Sequence, residues 1–339
     1  MIAPRGRALA LALARSSWAH VAAVLVLSAL VAAIPIVDPR SFNLQRLAFN
    51  LLWFGILAAA WNMIGGYAGQ ISFGHSAFLG VGAYATGILW FSAHWDPLLA
   101  MPVGALLAAA YSVLVGAPTL RLRGPYFAIA TIGVGEATRL LAVNVDDIIG
   151  IRLTHGVTGL SLGNYDPIAV HYATVVVFAL TMITTIAIRA GRFGLGLFAI
   201  NMDRDAAETA GVPTALLQVI ALAISAFFCG AAGALYAAHY SYLDPSTMFS
   251  FNISIALVLM VVVGGVGTIW GPLFGAILYS SVQDQITSLV RNPFVPTLIY
   301  GVLLVVIVMF EPLGVAGLVS RLGVVGRKLI LPRGTEGDT

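Results

Sequence analysis

Residues 189–214 read Arg-Ala-Gly-Arg-Phe-Gly-Leu-Gly-Leu-Phe-Ala-Ile-Asn-Met-Asp-Arg-Asp-Ala-Ala-Glu-Thr-Ala-Gly-Val-Pro-Thr, a polar interruption in a chain that is otherwise almost entirely apolar. The second half of this segment predicts a short amphipathic helix that ends at a glycine. The residues that indicate it are Asp205, Ala206, Ala207, Glu208 and Gly211. A helix of this kind between two apolar stretches suits docking on a soluble partner better than contact with lipid. The segment therefore favours a subunit driven by a separate motor over a self-contained carrier.

The composition predicts a multi-pass membrane protein. Of the 339 residues, 60% are hydrophobic and 9% are charged. That is too little charge to cover the surface of a water-soluble protein of this size. The net charge of +3 is small and comes mainly from arginines at the ends of the apolar stretches. We therefore expect contact with membrane lipid and no binding of nucleic acid.

Apolar stretches of roughly 20 residues predict an all-α fold with about ten transmembrane helices, in a range of eight to ten. The candidate spans are residues 18–37, 44–64, 76–91, 98–118, 124–142, 168–188, 215–238, 251–269, 272–290 and 296–315. Glycine-rich segments precede the third and the ninth, so we expect some of these helices to be broken.

The basic residues predict that both termini are cytoplasmic. In that orientation the cytoplasmic segments carry 12 of the 17 basic residues, namely Arg5, Arg7, Arg15, Arg121, Arg123, Arg189, Arg192, Arg204, Arg321, Arg327, Lys328 and Arg333. The other five are Arg40, Arg46, Arg139, Arg152 and Arg291. One transmembrane domain then covers residues 18–315, with a cytoplasmic loop at 189–214 and a periplasmic loop at 143–167. Residues 1–17 and 316–339 form the cytoplasmic ends.

A glycine-rich segment at residues 65–83 reads Gly-Gly-Tyr-Ala-Gly-Gln-Ile-Ser-Phe-Gly-His-Ser-Ala-Phe-Leu-Gly-Val-Gly-Ala. It predicts a helix that ends, an unwound stretch, and a new helix from about Ser76. Unwound backbone at membrane depth often lines a transport path, so the pathway candidates here are Gly66, Gly69, Gln70, Ser72, Gly74 and His75. Close helix packing is the alternative for the glycines. For His75 we favour a capping or buried structural role over contact with substrate.

Glu136 and Arg139 lie in the fifth span, three residues apart on one face of a helix. An ionisable group inside a membrane is by default a functional candidate, so Glu136 joins the pathway candidates. At this spacing the two side chains can instead pair with each other, which is the interpretation that we favour. No run of buried carboxylates suggests a proton or sodium relay, which weakens the alternative of an autonomous secondary carrier or channel.

Signatures of an enzyme are absent from the sequence. There is no Gly-x-x-x-x-Gly-Lys-Ser/Thr phosphate-binding loop and no cluster with metal-ligand spacing. We therefore expect no catalytic site, no metal and no cofactor in this chain. Any energy for transport must come from ATP bound by another subunit.

Several motifs resemble those of branched-chain amino-acid ABC importer permeases, and of the M-type (LivM-like) subunit in particular. Residues 65–84 are similar to the family signature, and Leu-Arg-Gly-Pro-Tyr-Phe-Ala-Ile-Ala-Thr-Ile-Gly-Val-Gly-Glu (122–136) is similar to a segment typical of the M-type subunit. Asp-Ala-Ala-Glu-Thr-Ala-Gly-Val (205–212) resembles the EAA-type coupling motif. Together with residues 233–237 and 264–272, the resemblance covers about residues 44–315.

The resemblance implies the ABC importer permease fold in a bacterial inner membrane. It implies three kinds of partner: a second, H-type permease, two cytoplasmic ABC ATPases, and a periplasmic or lipid-anchored binding protein. Asp205 to Gly211 would seat on the ATPase, and residues 65–75 would line or gate the path. The implied substrate is a branched-chain or related amino acid. Urea and short amides stay open as alternatives, because residues 153–160 depart from the family's usual Thr-Gly-Gly-Thr-Asn-Gly-Leu pattern.

Overall fold

The computed structural model describes residues 4–37, 42–149 and 159–289, with the separate positions 295, 298–299 and 301–302. Within these residues the chain forms 13 helices and two short strands. The helices are α1 Pro4–Ala32, α2 Ile34–Val37, α3 Phe42–Gly65, α4 His75–Ala93, α5 Pro97–Thr119, α6 Pro125–Ile149, α7 Pro167–Ala190, α8 Arg192–Met202, α9 Arg204–Thr209, α10 Thr214–Tyr240, α11 Pro245–Met248, α12 Phe251–Gly264 and α13 Gly271–Leu289. The strands are β1 Leu160–Ser161 and β2 Tyr242–Leu243.

Eight segments of the described chain are long and apolar enough to cross a membrane. They are Ser17–Val37, Asn43–Gly65, His75–Ala93, Pro97–Thr119, Pro125–Asn144, Pro167–Ala190, Thr214–Tyr240 and Pro245–Gly264. These overlap the first eight predicted spans, although the eighth covers Pro245–Gly264 and not residues 251–269. The prediction of an all-α multi-pass membrane protein is confirmed. The length of each apolar stretch was sufficient because a segment in lipid must satisfy its backbone hydrogen bonds internally, which a single segment does only as a helix.

Three predicted boundaries differ or lie outside the description. The ninth predicted span forms α13 but is not among the eight, since glutamines and an aspartate in its second half lower its hydropathy. The tenth, 296–315, and the tail 316–339 fall almost wholly outside the described residues. The fifth predicted span ends at residue 142, whereas the observed helix α6 continues to Ile149. Its polar last turns take the helix into the predicted loop 143–167, of which residues 150–158 are not described.

The core is built around α10, which packs most extensively against α5 and α4 and also against α3 and α7. The backbones of the three helices α4, α5 and α10 approach closely at Gly82, Gly104 and Gly230. A Cβ atom added at Gly82 would lie 2.3 Å from the Cα atom of Gly230. The backbones of α4 and α10 would have to move apart to accommodate it. Small residues at such crossings let membrane helices approach within van der Waals contact.

The two ends of the bundle are fixed by different contacts. At one end β1 and β2 pair antiparallel, with Leu160 opposite Leu243, and the Tyr165 hydroxyl donates to the Asp96 carboxylate at 2.8 Å. At the other end lie α8 and α9 together with the last turns of α3, α7 and α12. Hydrogen bonds at this α8–α9 end join the connections that follow α3, α5, α7 and α12, which are far apart in sequence.

Candidate functional site

The polar segment 189–214 forms α8 and α9. Asp203 caps α9, because its carboxylate accepts hydrogen bonds from the backbone N–H groups of Asp205 at 2.9 Å and Ala206 at 3.0 Å. Directly after the capping residue Ala210, Gly211 has a φ of +83°, a left-handed conformation that glycine adopts without strain. The helix thus begins at an aspartate and ends at a glycine because each satisfies the backbone at its end.

Asp205 ties α9 to the connection between α5 and α6. Its two carboxylate oxygens accept hydrogen bonds from Nη1 and Nη2 of Arg123 at 2.9 and 2.8 Å, a bidentate ion pair. Both side chains are exposed. The hydrogen bonds and the charge of Arg123 lower the pKa of Asp205 below its usual value. Asp205 therefore carries a negative charge at neutral pH and fixes the position of α9 on the bundle.

Glu208 is the second carboxylate of α9. It accepts hydrogen bonds from Nε of Arg204 at 3.2 Å and from the hydroxyl of Thr214 at the start of α10. The hydrogen bond from Thr214, followed by that from Arg204, lowers the pKa of Glu208. Arg204 also donates to the carbonyl oxygen of Leu120 at 3.1 Å. Glu208 is consequently ionised, oriented and still open to solvent on its outer side.

Ala207 alone among the candidate coupling residues turns inward and is buried, whereas Ala206, Glu208 and Gly211 are exposed. Met202, at the end of α8, is 89% exposed. The exposed surface therefore combines two ionised carboxylates, a small alanine and a flexible apolar side chain. Such a combination of a charge and an adaptable apolar contact suits binding to another protein.

The glycine-rich segment contains the predicted break, since α3 ends at Gly65 and α4 begins at His75. Protein groups satisfy the freed backbone. The carbonyl oxygen of Ser72 accepts a hydrogen bond from the indole of Trp61 at 2.7 Å, and the N–H of Phe73 donates to Thr131 of α6 at 3.0 Å. A Cβ at Gly74 would lie 2.8 Å from the carbonyl oxygen of Thr131. Glycine at position 74 thus permits close contact with α6.

Ser72 and Gly74 line a cavity of about 10 Å³ between α4, α5, α6 and α10. That volume is at the lower limit for a single water molecule. In this conformation the cavity beside Ser72 and Gly74 is therefore too small for a molecule larger than water.

His75 is completely buried, and each of its ring nitrogens forms a hydrogen bond with a serine hydroxyl. Nδ1 lies 3.0 Å from Oγ of Ser72, and Nε2 lies 2.9 Å from Oγ of Ser225. The Ser225 hydroxyl donates its proton to the carbonyl oxygen of Ala60 at 2.6 Å. Ser225 is therefore the acceptor from Nε2–H, and Nδ1 accepts from Ser72, an assignment made from the network. This geometry favours the structural interpretation of His75.

We expect His75→Ala to lower the free energy of unfolding by about 2–4 kcal/mol, because it leaves a cavity and removes partners from two buried hydroxyls. Thermal unfolding of the purified protein in detergent measures this loss. Ser225→Ala is the matched control in a double-mutant cycle: the two costs are expected to be less than additive, since they remove the same hydrogen bond. Additive costs would contradict the network.

Helix α8 lies directly on the glycine-rich segment. The side-chain Nδ2 of Asn201 donates to the carbonyl oxygen of Gly66 at 3.3 Å. Gly69 has a φ of +69°, and a Cβ there would lie 2.2 Å from Oδ1 of Asn201. The rings of Tyr67 and Phe198 are 5.1 Å apart. Residues 66–69 and α8 are thus in contact through both a hydrogen bond and close packing.

A second glycine-rich segment, residues 264–268, joins the same junction. Oδ1 of Asn62 accepts from the N–H of Gly267, and its Nδ2 donates to the carbonyl oxygen of Thr268, both at 2.9 Å. The guanidinium of Arg189 also donates to the carbonyl oxygen of Gly267. Sequence reasoning missed Asn62 and Asn201. The available signal was a carboxamide at the end of an apolar helix, where it can satisfy freed backbone groups.

Glu136 lies apart from the other pathway candidates. Gly135 of α6 faces Gly74, with a Cβ at position 135 only 3.8 Å from the Gly74 Cα, but Glu136 points away from it. Glu136 accepts from Nε and Nη2 of Arg139 at 2.9 and 2.6 Å. The structure therefore brings Gly66, Gly69, Ser72, Gly74 and His75 into one connected region, with the partly exposed Gln70 on the same connection, and places Glu136 on the opposite face of α6.

Comparison with known proteins identifies the family of this chain. A family model described as branched-chain amino acid transport system / permease component matches residues 43–310. The chain belongs to this family. The match contains the break between α3 and α4, α6, the two polar helices α8 and α9, and the second glycine-rich segment. The resemblance to this family that the motifs indicated is confirmed.

Two curated relatives illustrate the similarity. The high-affinity branched-chain amino acid transport system permease protein LivM of Escherichia coli (strain K12) is 28% identical over 286 residues, which cover 76% of this chain and 66% of that protein. The probable branched-chain amino acid transport permease protein LivM of Methanocaldococcus jannaschii is 23% identical over 322 residues, covering 80% of this chain and 93% of that protein.

The L-arabinose ABC transporter permease protein AraH of Azospirillum brasilense is 31% identical over a shorter region of 157 residues, 45% of this chain. The chain spans 66% of the length of the Escherichia coli relative and of the LivM protein of Salmonella typhimurium. No solved structure matches.

Proposed function

We propose that this protein is the membrane-spanning permease subunit of a binding-protein-dependent ABC importer, and that separate ATPase subunits hydrolyse ATP. The observation that carries the proposal is the α8–α9 end. There the exposed helix α9, which carries two ionised carboxylates, is bonded to Arg123 and Thr214. The preceding helix α8 contacts the break between α3 and α4. Family membership supports the same assignment. A secondary carrier has no use for such an exposed, preorganised helix.

The proposed assembly contains a second, H-type permease, two ABC ATPases and a substrate-binding protein that is periplasmic or lipid-anchored. The excess of basic residues at the α8–α9 end supports an orientation with both termini and α9 in the cytoplasm of a bacterial inner-membrane protein. Asp205 to Gly211 would then seat on the ATPase. ATP would be bound by those partners and no cofactor by this chain.

The proposed substrate is a branched-chain or related amino acid. The printed names of the two LivM relatives support this class, and the binding protein would select within it. Alternating access follows if the outward- and inward-facing arrangements differ in their affinity for the ATP-bound ATPase dimer. The glycine-rich break is the segment best placed to change between the two arrangements, since residues 66–74 lie between the end of α3 and the start of α4.

Affinity purification of the tagged chain from its native membrane, with mass spectrometry of the bound proteins, tests the assembly. We expect a second permease and ABC ATPases to co-purify, and the complex reconstituted with its binding protein to import an amino acid only with ATP on the α9 side. A purified chain that transports without ATPases would overturn the proposal and establish a secondary carrier.

We further expect Asn201→Leu to lower the amount of substrate transported per ATP hydrolysed by about two- to tenfold, the range that the loss of one hydrogen bond allows. The helix and side-chain volume are retained, but the donor to Gly66 is lost. The measurement is transport and ATP hydrolysis in the same proteoliposomes. Asn144→Leu, the same exchange at an exposed asparagine near the end of α6 that bonds within its own helix, is the matched control. An unchanged ratio in Asn201→Leu would contradict transmission through this contact.

A further inference from the structure

One face of helix α10 carries a row of polar side chains between the α8–α9 end and the glycine-rich break. Thr214, Gln218 and Ser225 are separated by four and seven residues, spacings that bring all three close to one face of the helix. All three are buried. Thr214 donates to Glu208 of α9, and Ser225 is hydrogen-bonded to His75 of α4. The two ends of the row therefore have partners, one on α9 and one at the break.

Gln218, the middle member of the row, is buried without a partner. It is completely inaccessible to solvent, yet neither Oε1 nor Nε2 of its carboxamide forms a hydrogen bond in the part of the chain that the structure describes. No other described side chain is buried with two unpaired polar atoms. Such burial is unfavourable and rare in folded proteins, so it indicates a role other than stability. An apolar side chain of similar size would fill this position at a lower cost.

The neighbouring helix α3 shows at which level of the bundle Gln218 lies. The indole of Trp53 on α3 donates to the carbonyl oxygen of Ala232 on α10. Closer to the break, the hydroxyl of Ser225 donates to the carbonyl oxygen of Ala60. The two helices are therefore antiparallel. Seven residues back from Ser225 is Gln218, and seven residues on from Ala60 is the second residue after α3. Gln218 is thus level with the start of the break, roughly 10 Å along α10 from Ser225.

The small cavity beside the break ends one helical turn from Gln218. Leu222, four residues further along α10, lines this cavity together with Ser72 and Gly74. A cavity that widened along α10 from this point toward the α8–α9 end would reach the carboxamide of Gln218. A molecule that moved from the break toward the α8–α9 side would therefore meet this side chain.

We infer that Gln218 is a binding residue of the transport path and that it contacts the ammonium and carboxylate groups of the transported amino acid on the α8–α9 side of the break. The carboxamide suits this ligand, because Oε1 accepts from an ammonium and Nε2 donates to a carboxylate. It carries no charge that would repel either group. The inference rests on the proposed import of an amino acid and adds a residue that binds the part of the substrate that all amino acids share.

The first test compares stability with import in the reconstituted complex. Gln218→Leu removes both polar atoms and keeps a similar side-chain volume, so its unfolding temperature in detergent is expected to equal or exceed that of the original protein. ATP-dependent import of leucine and of valine is expected to fall by roughly tenfold or more, because hydrogen bonds to charged groups are lost. Gln218→Asn keeps the carboxamide and is expected to restore part of the import.

Thr86→Val is the matched control for this comparison. Thr86 of α4 is also completely buried with an unpaired hydroxyl, and it lies outside the row. Valine has the same shape and no hydroxyl, so import and unfolding temperature are both expected to stay unchanged. A loss of import in Gln218→Leu alone would then be specific to its position on α10.

A second readout is independent of import. Replacing Cys229 with alanine leaves no cysteine in the chain, and Gln218→Cys is then introduced into the complete complex. We expect a membrane-impermeant methanethiosulfonate reagent to label this cysteine in at least one of three states: without nucleotide, with ATP, or trapped with vanadate. Leucine at millimolar concentration is expected to slow that labelling. Ala226→Cys, at a completely buried position on α10 outside the row, is expected to stay unlabelled.

Several outcomes would overturn the inference and leave the proposed function standing. A lower unfolding temperature of Gln218→Leu with normal import would show that the carboxamide has a structural partner, such as an enclosed water molecule. Normal import at normal stability would remove Gln218 from the path, as would a cysteine at position 218 that is never labelled. Loss of leucine import alone would contradict contact with the groups that leucine and valine share. Absence of ATP-dependent import by the original complex would overturn the proposed function itself.

Discussion

Replacing Glu208 with arginine is expected to abolish ATP-dependent uptake while the permease remains folded in the membrane. Glu208 is ionised and oriented by Arg204 and Thr214, and its outer side is free for a partner. A positive charge at this position would face whatever cationic or N–H group the ATPase presents to the carboxylate. Loss of one partner of such an interfacial pair lowers affinity by about tenfold or more, and charge reversal adds repulsion. Uptake into proteoliposomes and ATPase co-purification measure the effect.

Two controls separate a partner contact from a local structural role. Glu208→Gln keeps an acceptor for Thr214 but removes the charge, so an intermediate loss of ATPase binding is expected. Arg204→Gln removes the intramolecular ion pair and leaves the carboxylate exposed. If Glu208 acts only by holding Arg204, then Arg204→Gln will be as inactive as Glu208→Arg. Unchanged uptake in Glu208→Arg would remove this residue from the proposed coupling surface.

Gly82→Ala is expected to lower the free energy of unfolding by about 2–3 kcal/mol and the yield of folded protein with it. The new Cβ would lie 2.3 Å from the Cα and the carbonyl oxygen of Gly230, so α4 and α10 must separate. Overpacking of a tight interior typically has this effect, and here the obstacle is backbone that has no alternative rotamer. Thermal unfolding in detergent, followed by size-exclusion chromatography, provides the measurement.

Gly133→Ala is the matched control, because it makes the same change in another membrane helix, where a Cβ meets no atom of the described residues within 4 Å. Alanine has the higher helix propensity, by up to about 1 kcal/mol, so this isolated subunit is expected to be unchanged or slightly more stable. Only Gly82→Ala is therefore expected to lower the free energy of unfolding. Equal destabilisation of both variants would show that the close approach of α4 and α10 does not limit stability.

The local features of the candidate site were predictable from short stretches of sequence. The cap at Asp203 and the end at Gly211 define α9, and the glycines after Gly65 indicate the break, because capping and helix termination depend on neighbouring residues. The pairing of Glu136 with Arg139 was likewise predictable from their spacing on one helix. The roles of these residues in coupling and transport remain proposals.

Contacts between distant residues were not predictable in the same way. Asn201 and Gly66 are 135 residues apart in the chain. A carboxamide in an apolar sequence has many other possible partners at such distances along the chain, and the sequence does not distinguish among them. The same holds for His75, whose partner Ser225 is 150 residues away. The packing of α3, α4, α8 and α10 brings these pairs together. A single hydrogen bond contributes too little net free energy to determine which helices pack against each other.

The amino-acid sequence alone established an all-α membrane protein, the positions of eight spans, and the permease family. The spans were predictable because the bilayer imposes length and apolarity on each helix independently of its neighbours. The family was predictable because its motifs are short, continuous stretches of sequence. The tertiary structure determined that α8 rests on the glycine-rich break, that His75 is enclosed by serine hydroxyls, and that Glu136 faces away from that break. These properties depend on which helix faces meet, and burial of those faces is shared among several helices at once.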